Sequence, residues 1–235
     1  MEILAINGFP FSIKNFIFSS SCATYGSPDE LPIRESTLQK PVNPYGETKL
    51  YVEHLLKNLS VSHGLKSVSF RYFNASGAMP HENGKQFPLL GENHIPETHL
   101  IPCILLAALA KKPVMIYGDD YPTPDGTCLR DYVHVNDISS AHILAIDYLL
   151  SKKENNAHFF NLGLGRPYSV KEVIAACEKV IGFPIASEVH PRRTGDPAAL
   201  YADASLAHQS LGWEPTYRDL EEIIRTAWNW HKSQT

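Results

Sequence analysis

Tyr45 and Lys49 stand four residues apart in the run Asn43-Pro44-Tyr45-Gly46-Glu47-Thr48-Lys49, downstream of Ser19-Ser20-Ser21. On a helix, that spacing puts both side chains on one face about one turn apart. An ammonium held beside a phenol favours the phenolate, which can act as a base, and the positive end of a helix dipole works in the same direction. Spacing alone is weak support, since chance supplies roughly 0.6 such pairs in a chain of this composition. The alternative is an exposed aromatic ring beside a solvated lysine. What raises the pair above that alternative is its setting: a serine-rich segment before it and the polar Arg71-Tyr72-Phe73-Asn74 after it. Ligands of open parallel sheets bind at such strand ends. A hydroxyl at Ser21 could hydrogen-bond the same substrate oxygen that Tyr45 deprotonates.

The elements that must position these groups can be read from the same stretch. Phe16-Ile17-Phe18 reads as a buried strand opening onto the serines. Asn43 suits a helix cap with Pro44 at the first position, and Leu50, Val52, Leu55, Leu56 and Leu59 supply an apolar side. Ser67 to Phe73 alternates like a strand. Strand, helix, strand is the parallel crossover unit. Residues 78–97 are rich in Pro, Gly and Asn and read as a functional loop or a domain crossing. Further on, the pattern predicts a helix over about 99–111, a strand at Pro113–Tyr117, a turn-rich loop over 118–127 and a strand at Tyr132–Val135. Asp137 then serves as a cap for an apolar helix ending near Leu150. His158–Leu162 reads as a strand, and Ser169 and Glu172 have capping-box spacing. A last helix carries Leu220, Ile223, Ile224, Ala227 and Trp228 at helical intervals.

With 235 residues, 43% of them hydrophobic, the chain can bury a substantial core. A net charge of -4 gives no electrostatic reason to expect nucleic acid or anionic lipid. Cys22, Cys103, Cys128 and Cys177 form no C-x-x-C pair, so neither a zinc site nor a disulfide framework is expected, no metal ligands are nominated, and a reducing, cytoplasmic compartment fits best. The opening Met1–Pro10 lacks a basic region and breaks at Asn7, Gly8 and Pro10, which argues against a signal peptide. No apolar run reaches the roughly 18 to 20 residues of a membrane span.

Taken in order, Ser-Ser-Ser-Cys-Ala-Thr-Tyr-Gly (19–26), Asn-Pro-Tyr-Gly-Glu-Thr-Lys (43–49), Arg-Tyr-Phe-Asn (71–74), Tyr-Pro-Thr-Pro-Asp-Gly-Thr (121–127), Arg-Asp-Tyr-Val-His-Val (130–135), Asn-Leu-Gly (161–163) and Pro-Arg-Arg-Thr-Gly-Asp (191–196) resemble the UDP-glucose 4-epimerase family. That family belongs to the extended short-chain dehydrogenase/reductases. The resemblance runs from about Ile13 to the end of the chain. It implies an α/β fold with a Rossmann-like parallel sheet, incomplete here, and a smaller mixed α/β substrate-binding domain. Residues 1–77 would be the C-terminal half of the dinucleotide-binding domain. Residues 78–235 would mainly bind the UDP-sugar, with about 130–150 returning to the Rossmann core. It also implies NAD as cofactor, a UDP-sugar substrate and a homodimer, with no nucleic acid or membrane partner.

By the same resemblance Tyr45 takes the proton of the sugar 4-hydroxyl while hydride passes from C4 to NAD, Ser21 orients that hydroxyl, and Lys49 holds the nicotinamide ribose. Phe73 matches a residue lining the nicotinamide and Asn74 one contacting the nucleotide sugar. Arg130, Arg193 and Asp196 match positions that grip the diphosphate and ribose, a task suited to guanidinium geometry. Leu100 and Tyr117 match positions around the uracil, and His99 stands where some relatives carry an amide. Leu200 falls where side-chain bulk separates relatives that accept N-acetylated sugars from those that do not. Related 4,6-dehydratases need a carboxylate pair just after the position of Ser21, where this chain has Cys22 and Ala23, so dehydration is disfavoured. Asn161-Leu162-Gly163-Leu164-Gly165 has the start of a dinucleotide fingerprint, but Tyr168 holds the place of the third glycine, and the segment reads as a turn of the substrate domain. No strand, Gly-rich turn and helix with a distal acid precedes Ser21. The chain is therefore expected to behave as an N-terminally shortened member, weakly active or inactive, that binds NAD poorly. Its strands near Phe16–Ser20 and Val68–Tyr72 would lack neighbours.

Overall fold

The structure is a computed structural model that describes residues 13–80, 90–154 and 156–234. The opening segment read for a signal peptide and part of the 78–97 loop lie outside the described residues. β1 (Asn15–Ser21) leads through a single 3-10 turn (Cys22–Tyr25) and an irregular connection to α1 (Pro44–His63) and then β2 (Lys66–Tyr72). β1 and β2 pair in parallel, so the expected crossover unit is present. The N-terminus of α1 is set as its sequence suggests: Asn43 accepts the Gly46 N–H at 2.8 Å and Pro44 occupies the first turn.

Two expectations change here. The first strand is not buried: Phe16 is 40% exposed, because β1 is the edge of its sheet among the described residues. β2, by contrast, does not lack a neighbour, since β6 (Ala157–Leu162) pairs with its other side in parallel, giving the order β1-β2-β6. Residues Ser67–Arg71 of β2 are all buried. Helices on both faces explain that: α1 packs on one and α3 (Val135–Ser151) on the other. Leu55 on α1 is also exposed, while Glu53 takes a place on the buried face beside Leu56 and Leu59.

The second sheet joins β3 (Asn74–Ser76) in parallel to β5 (Leu129–His134), which pairs antiparallel with β7 (Pro167–Ser169) and parallel with β9 (Ala199–Leu200). A third, two-stranded sheet pairs β4 (Val114–Tyr117) with β8 (Ser187–His190). α2 (Leu100–Ala110), α4 (Val170–Ile181) and α6 (Leu220–Ser233) close one apolar core around Ile104, Leu105, Val173 and Ile224. A second core lies under α3 and α5 (Ser205–Leu211), centred on Phe70, Phe160 and Trp213. Ser169 and Glu172 form the capping box that their spacing predicted.

Asp137 is not the cap of α3. His134 fills that position, its Nδ1 accepting the Asn136 N–H at 3.0 Å. Asp137 is buried one turn further on, where its two carboxylate oxygens accept the N–H groups of Thr216 and Tyr217. Among the described residues no helix is long and apolar enough to cross a membrane.

Candidate active site and its cavity

The reactive pair is built on the junction between β1 and α1. Gly46 lets the helix approach closely: a Cβ there would lie 2.4 Å from the Ala23 carbonyl oxygen, inside the turn that follows β1. Ser21 caps that turn, its Oγ accepting the Ala23 N–H at 3.1 Å. Lys49 reaches back from α1 to donate its Nζ–H to the Ser19 carbonyl at 2.8 Å. Its ammonium stands 5.4 Å from the centre of the Tyr45 ring and 5.1 Å from that of Phe18. Tyr45 is 55% exposed, so its phenol faces solvent at the end of the parallel strand rather than the core.

Tyr72 ends β2 beside this group. Its hydroxyl lies 2.8 Å from Ser19 Oγ and 2.9 Å from His142 Nε2, and it is within electrostatic reach of Tyr45. Burial pushes the Tyr72 phenol up to about 12 and keeps it protonated. Arg71, read as part of a polar strand end, is turned inward instead. It is 2% exposed and grips Glu53 with two bonds, Nε to Oε1 at 3.0 Å and Nη2 to Oε2 at 2.7 Å. Ser20 donates to the same carboxylate at 2.5 Å, and Tyr25 receives a bond from Arg71 Nη1 at 2.8 Å while donating to Asn161 Oδ1 at 2.7 Å. The guanidinium and hydroxyl hold the Glu53 carboxyl below the usual range despite its burial. Sequence reasoning missed this network; the signal was a carboxylate three residues before Leu56 on the apolar side of a helix.

Asn74, His99, Leu100, Tyr117, Arg130, Arg193 and Asp196 line one cavity of about 460 Å³. The lining comes from β3, α2, β4, β5 and the loop before β9. Arg130 is largely buried and pairs with Asp196, and Arg193 lies over the Tyr117 ring at 4.1 Å. Asn74 donates through Nδ2 to the Asp131 carbonyl at 2.8 Å. Glu97, Cys103 and Cys128 also line the cavity and were not singled out from the sequence. His99 carries a carboxylate on each side: its Nδ1 is 2.7 Å from Glu92 and 3.0 Å from Glu97, and the Glu92 bond raises its pKa to about 9. Phe73 and Leu200 stand outside the lining. Both are buried together with Tyr25, Ile33 and Ala202.

Cys22, next to Ser21, is within electrostatic reach of Arg130 in the cavity wall, while Ser21, Tyr45 and Lys49 themselves are not part of that lining. Burial pushes the Cys22 thiol up to about 12, so it offers neither a carboxylate nor a ready thiolate. A wider groove of about 600 Å³ beside Glu35, Lys57 and Phe159 has none of the nominated residues in its wall. The Gly163-Leu164-Gly165 turn holds a carboxylate of the protein itself. Leu164 and Gly165 donate their N–H groups to Asp131 at 2.8 and 2.9 Å, and Ala202 donates at 3.0 Å.

Residues 5–227 match the family model described as GDP-mannose 4,6 dehydratase. The chain belongs to that family. Its curated relatives include the UDP-glucose 4-epimerase of Halalkalibacterium halodurans, 50% identical over 94% of this chain and 64% of that protein. The enzyme of the same name from Lacticaseibacillus casei is 48% identical over 95% and 65%. Among solved structures, UDP-glucose 4-epimerase from Bifidobacterium longum in complex with NAD+ and UDP superposes with a TM-score of 0.84 at 43% identity. It is matched by 94% of this chain over 64% of its own length. The Stenotrophomonas maltophila enzyme, with bound NAD and formylated UDP-arabinopyranose, gives a TM-score of 0.86 at 39% identity over 94% and 64%. The Rossmann-like α/β fold and the 4-epimerase resemblance expected from the motifs are thus both met. This chain spans 64–65% of the length of these relatives.

Proposed function

We propose that this chain carries the proton-transfer centre and the UDP-sugar site of a UDP-glucose/UDP-galactose 4-epimerase of galactose metabolism. The observation that carries the reading is one cavity lined together by two guanidiniums, Arg130 and Arg193, by the aromatic and aliphatic side chains of Tyr117 and Leu100, and by the amide of Asn74. Guanidiniums suit the oxygens of a diphosphate. The apolar side chains suit a flat base, and Asp196, tied to Arg130, offers acceptors to a ribose. UDP has these three parts.

At the sugar end, Tyr45 acts as base toward the 4-hydroxyl and later returns the proton. Lys49, its ammonium 5.4 Å from the centre of the Tyr45 ring, favours the phenolate, and its own position is fixed by the Ser19 carbonyl. Ser21 directs the hydroxyl being deprotonated. Tyr45, Lys49, Ser21 and Phe73 would hold the nicotinamide side of NAD, and the exposed phenol and ammonium at a parallel strand end suit ribose hydroxyls. NAD, when bound, supplies the hydride acceptor and donor. Membership of a family named for a dehydratase does not carry dehydration with it, since Cys22 and Ala23 stand where a carboxylate pair would be needed. The assembly is taken to be a homodimer, as the resemblance implies, and the compartment to be the cytoplasm, as the unpaired cysteines suggest.

A specific observation favours a second reading, a catalytically silent UDP-sugar-binding module. Among the described residues no Gly-rich turn offers its N–H groups to a pyrophosphate, because those of Leu164 and Gly165 are taken by Asp131. The test is incubation of the 235-residue chain with UDP-galactose and added NAD. Appearance of UDP-glucose, reduced at least a hundredfold by Tyr45→Phe, supports the epimerase. Binding of the UDP-sugar without turnover supports the module, and absence of both rejects the two readings together. Running the assay with UDP-xylose and UDP-N-acetylglucosamine decides the choice that Leu200 leaves open.

A further inference from the structure

Glu92, His94, Glu97 and His99 fall within eight residues at the head of α2, and one donor atom from each lies within 4.8 Å of the others. Glu92 Oε1 is 2.9 Å from His94 Nδ1 and 2.7 Å from His99 Nδ1. The two oxygens of Glu97 lie 3.0 Å from His99 Nδ1 and 4.0 Å from His94 Nδ1. Two carboxylates are therefore drawn together around two imidazole nitrogens.

The surrounding structure holds the group in place. Glu97 Oε1 accepts the N–H groups of Thr98 at 2.7 Å and His99 at 2.8 Å, and its side chain is only 8% exposed. The Glu92 carbonyl accepts Trp230 Nε1–H at 2.9 Å. Gly91 lies so flat on that indole that a Cβ would approach it to 2.2 Å. His231, the next residue of α6, is buried within electrostatic reach of both carboxylates. The donors are thus fixed from two sides, by the start of α2 and by α6.

Tetrahedral coordination at about 2.0 to 2.2 Å requires donors about 3.3 to 3.5 Å apart. The donor atoms here lie from 2.7 Å to within 4.8 Å of one another, a range that includes that value. Imidazole with carboxylate selects a borderline ion such as zinc, whereas magnesium and calcium prefer oxygen alone. We propose that Glu92, His94, Glu97 and His99 form a tetrahedral site for a divalent transition-metal ion, zinc above all. Because Glu97 and His99 also line the cavity, the ion fixes the rim of the nucleotide-sugar site. The proposal does not rest on the 4-epimerase reading; the site would bind zinc whether or not the chain turns over a sugar.

The test is equilibrium dialysis of the chelator-treated chain against zinc alone, with magnesium in parallel, followed by the visible spectrum of the cobalt form. One zinc per chain at micromolar concentration, no magnesium, and a tetrahedral cobalt spectrum are expected. His94→Asn and Glu92→Gln should each weaken zinc binding at least tenfold and abolish that spectrum. His94 is more than half exposed, so its replacement leaves the core untouched, and far-ultraviolet circular dichroism checks that it does. Zinc affinity unchanged in both variants would place the ion on others of the 11 histidines and overturn the assignment. Substoichiometric binding or an octahedral cobalt spectrum would do the same.

Discussion

Two buried side chains set the stakes at single residues. Glu53 is 1% exposed and satisfied by Arg71, Ser20 and Gln39. Replacing it with Ala leaves a buried guanidinium without its counter-charge, a loss of about 3 to 5 kcal/mol. Urea unfolding of Glu53→Ala should show the unfolding free energy lowered by that amount and the midpoint lowered with it. His134 is fully buried and stacked on Tyr217 at 3.7 Å. Its Nδ1 must accept from Asn136, and its Nε2–H donates to Thr226, whose own hydroxyl proton goes to the Ile223 carbonyl. The ring is therefore held neutral, and burial lowers its pKa to about 4. The unfolded chain takes up this proton near pH 6.5 and the folded chain only near 4. The stability contributed is complete above about 6.5 and lost as pH falls toward 4, on the order of 3 kcal/mol in all. Asp131 works with the opposite sign, burial having raised it to about 6, so absolute stability blends the two. The difference between the protein and His134→Gln isolates the histidine. It should shrink as pH falls from 6.5 to 4 in denaturation series, and a constant difference would contradict the assignment. Residue types told where chemistry could occur, as with Tyr45 and Lys49, but not that Arg71 and Asp131 would be consumed inside the fold.

At the level of elements, the patterns that were legible are those in which local chemistry decides. Asn43 and Pro44 start α1, and Ser169 with Glu172 starts α4. Asp137 was misread because its residue type suits a cap, while a distant loop, Thr216 and Tyr217, claimed both of its oxygens. Phe16 reads as core by type and is exposed because sheet order, not composition, decides which strand is central. The glycine in the Tyr45 turn is explained only by the close approach of α1 to Ala23. Gly46→Ala therefore forces that contact apart and should cost about 1 to 3 kcal/mol, read as a lowered thermal midpoint. A substitution without effect there would mean that the helix does not sit against the turn. β1 and β2 make a further comparison. β2 is covered on both faces and paired on both sides, whereas β1 is paired on one. Amide exchange followed by mass spectrometry should find β2 protected longest and β1 opening first; equal protection would count against the sheet order.

For the molecule as a whole, the cavity is what spacing could not reveal. Its walls come from residues near 74, 97–103, 114–117, 128–132 and 193–196, brought together by two of the sheets and α2. Only the ordered series of motifs, read as a family resemblance, joined Asn74 to Arg193 before the fold did. Phe73, in a matched motif, and Leu200, at a matched position, lie in a neighbouring apolar cluster outside the cavity lining. The central claim is that this cavity receives the nucleoside diphosphate end of a UDP-sugar. Calorimetric titration of the 235-residue chain with UDP tests it most directly. One UDP per chain is expected, with affinity reduced about tenfold or more in Arg193→Ala, the effect of a lost charge-assisted bond. No heat of binding, or binding that Arg193→Ala leaves unchanged, would contradict it.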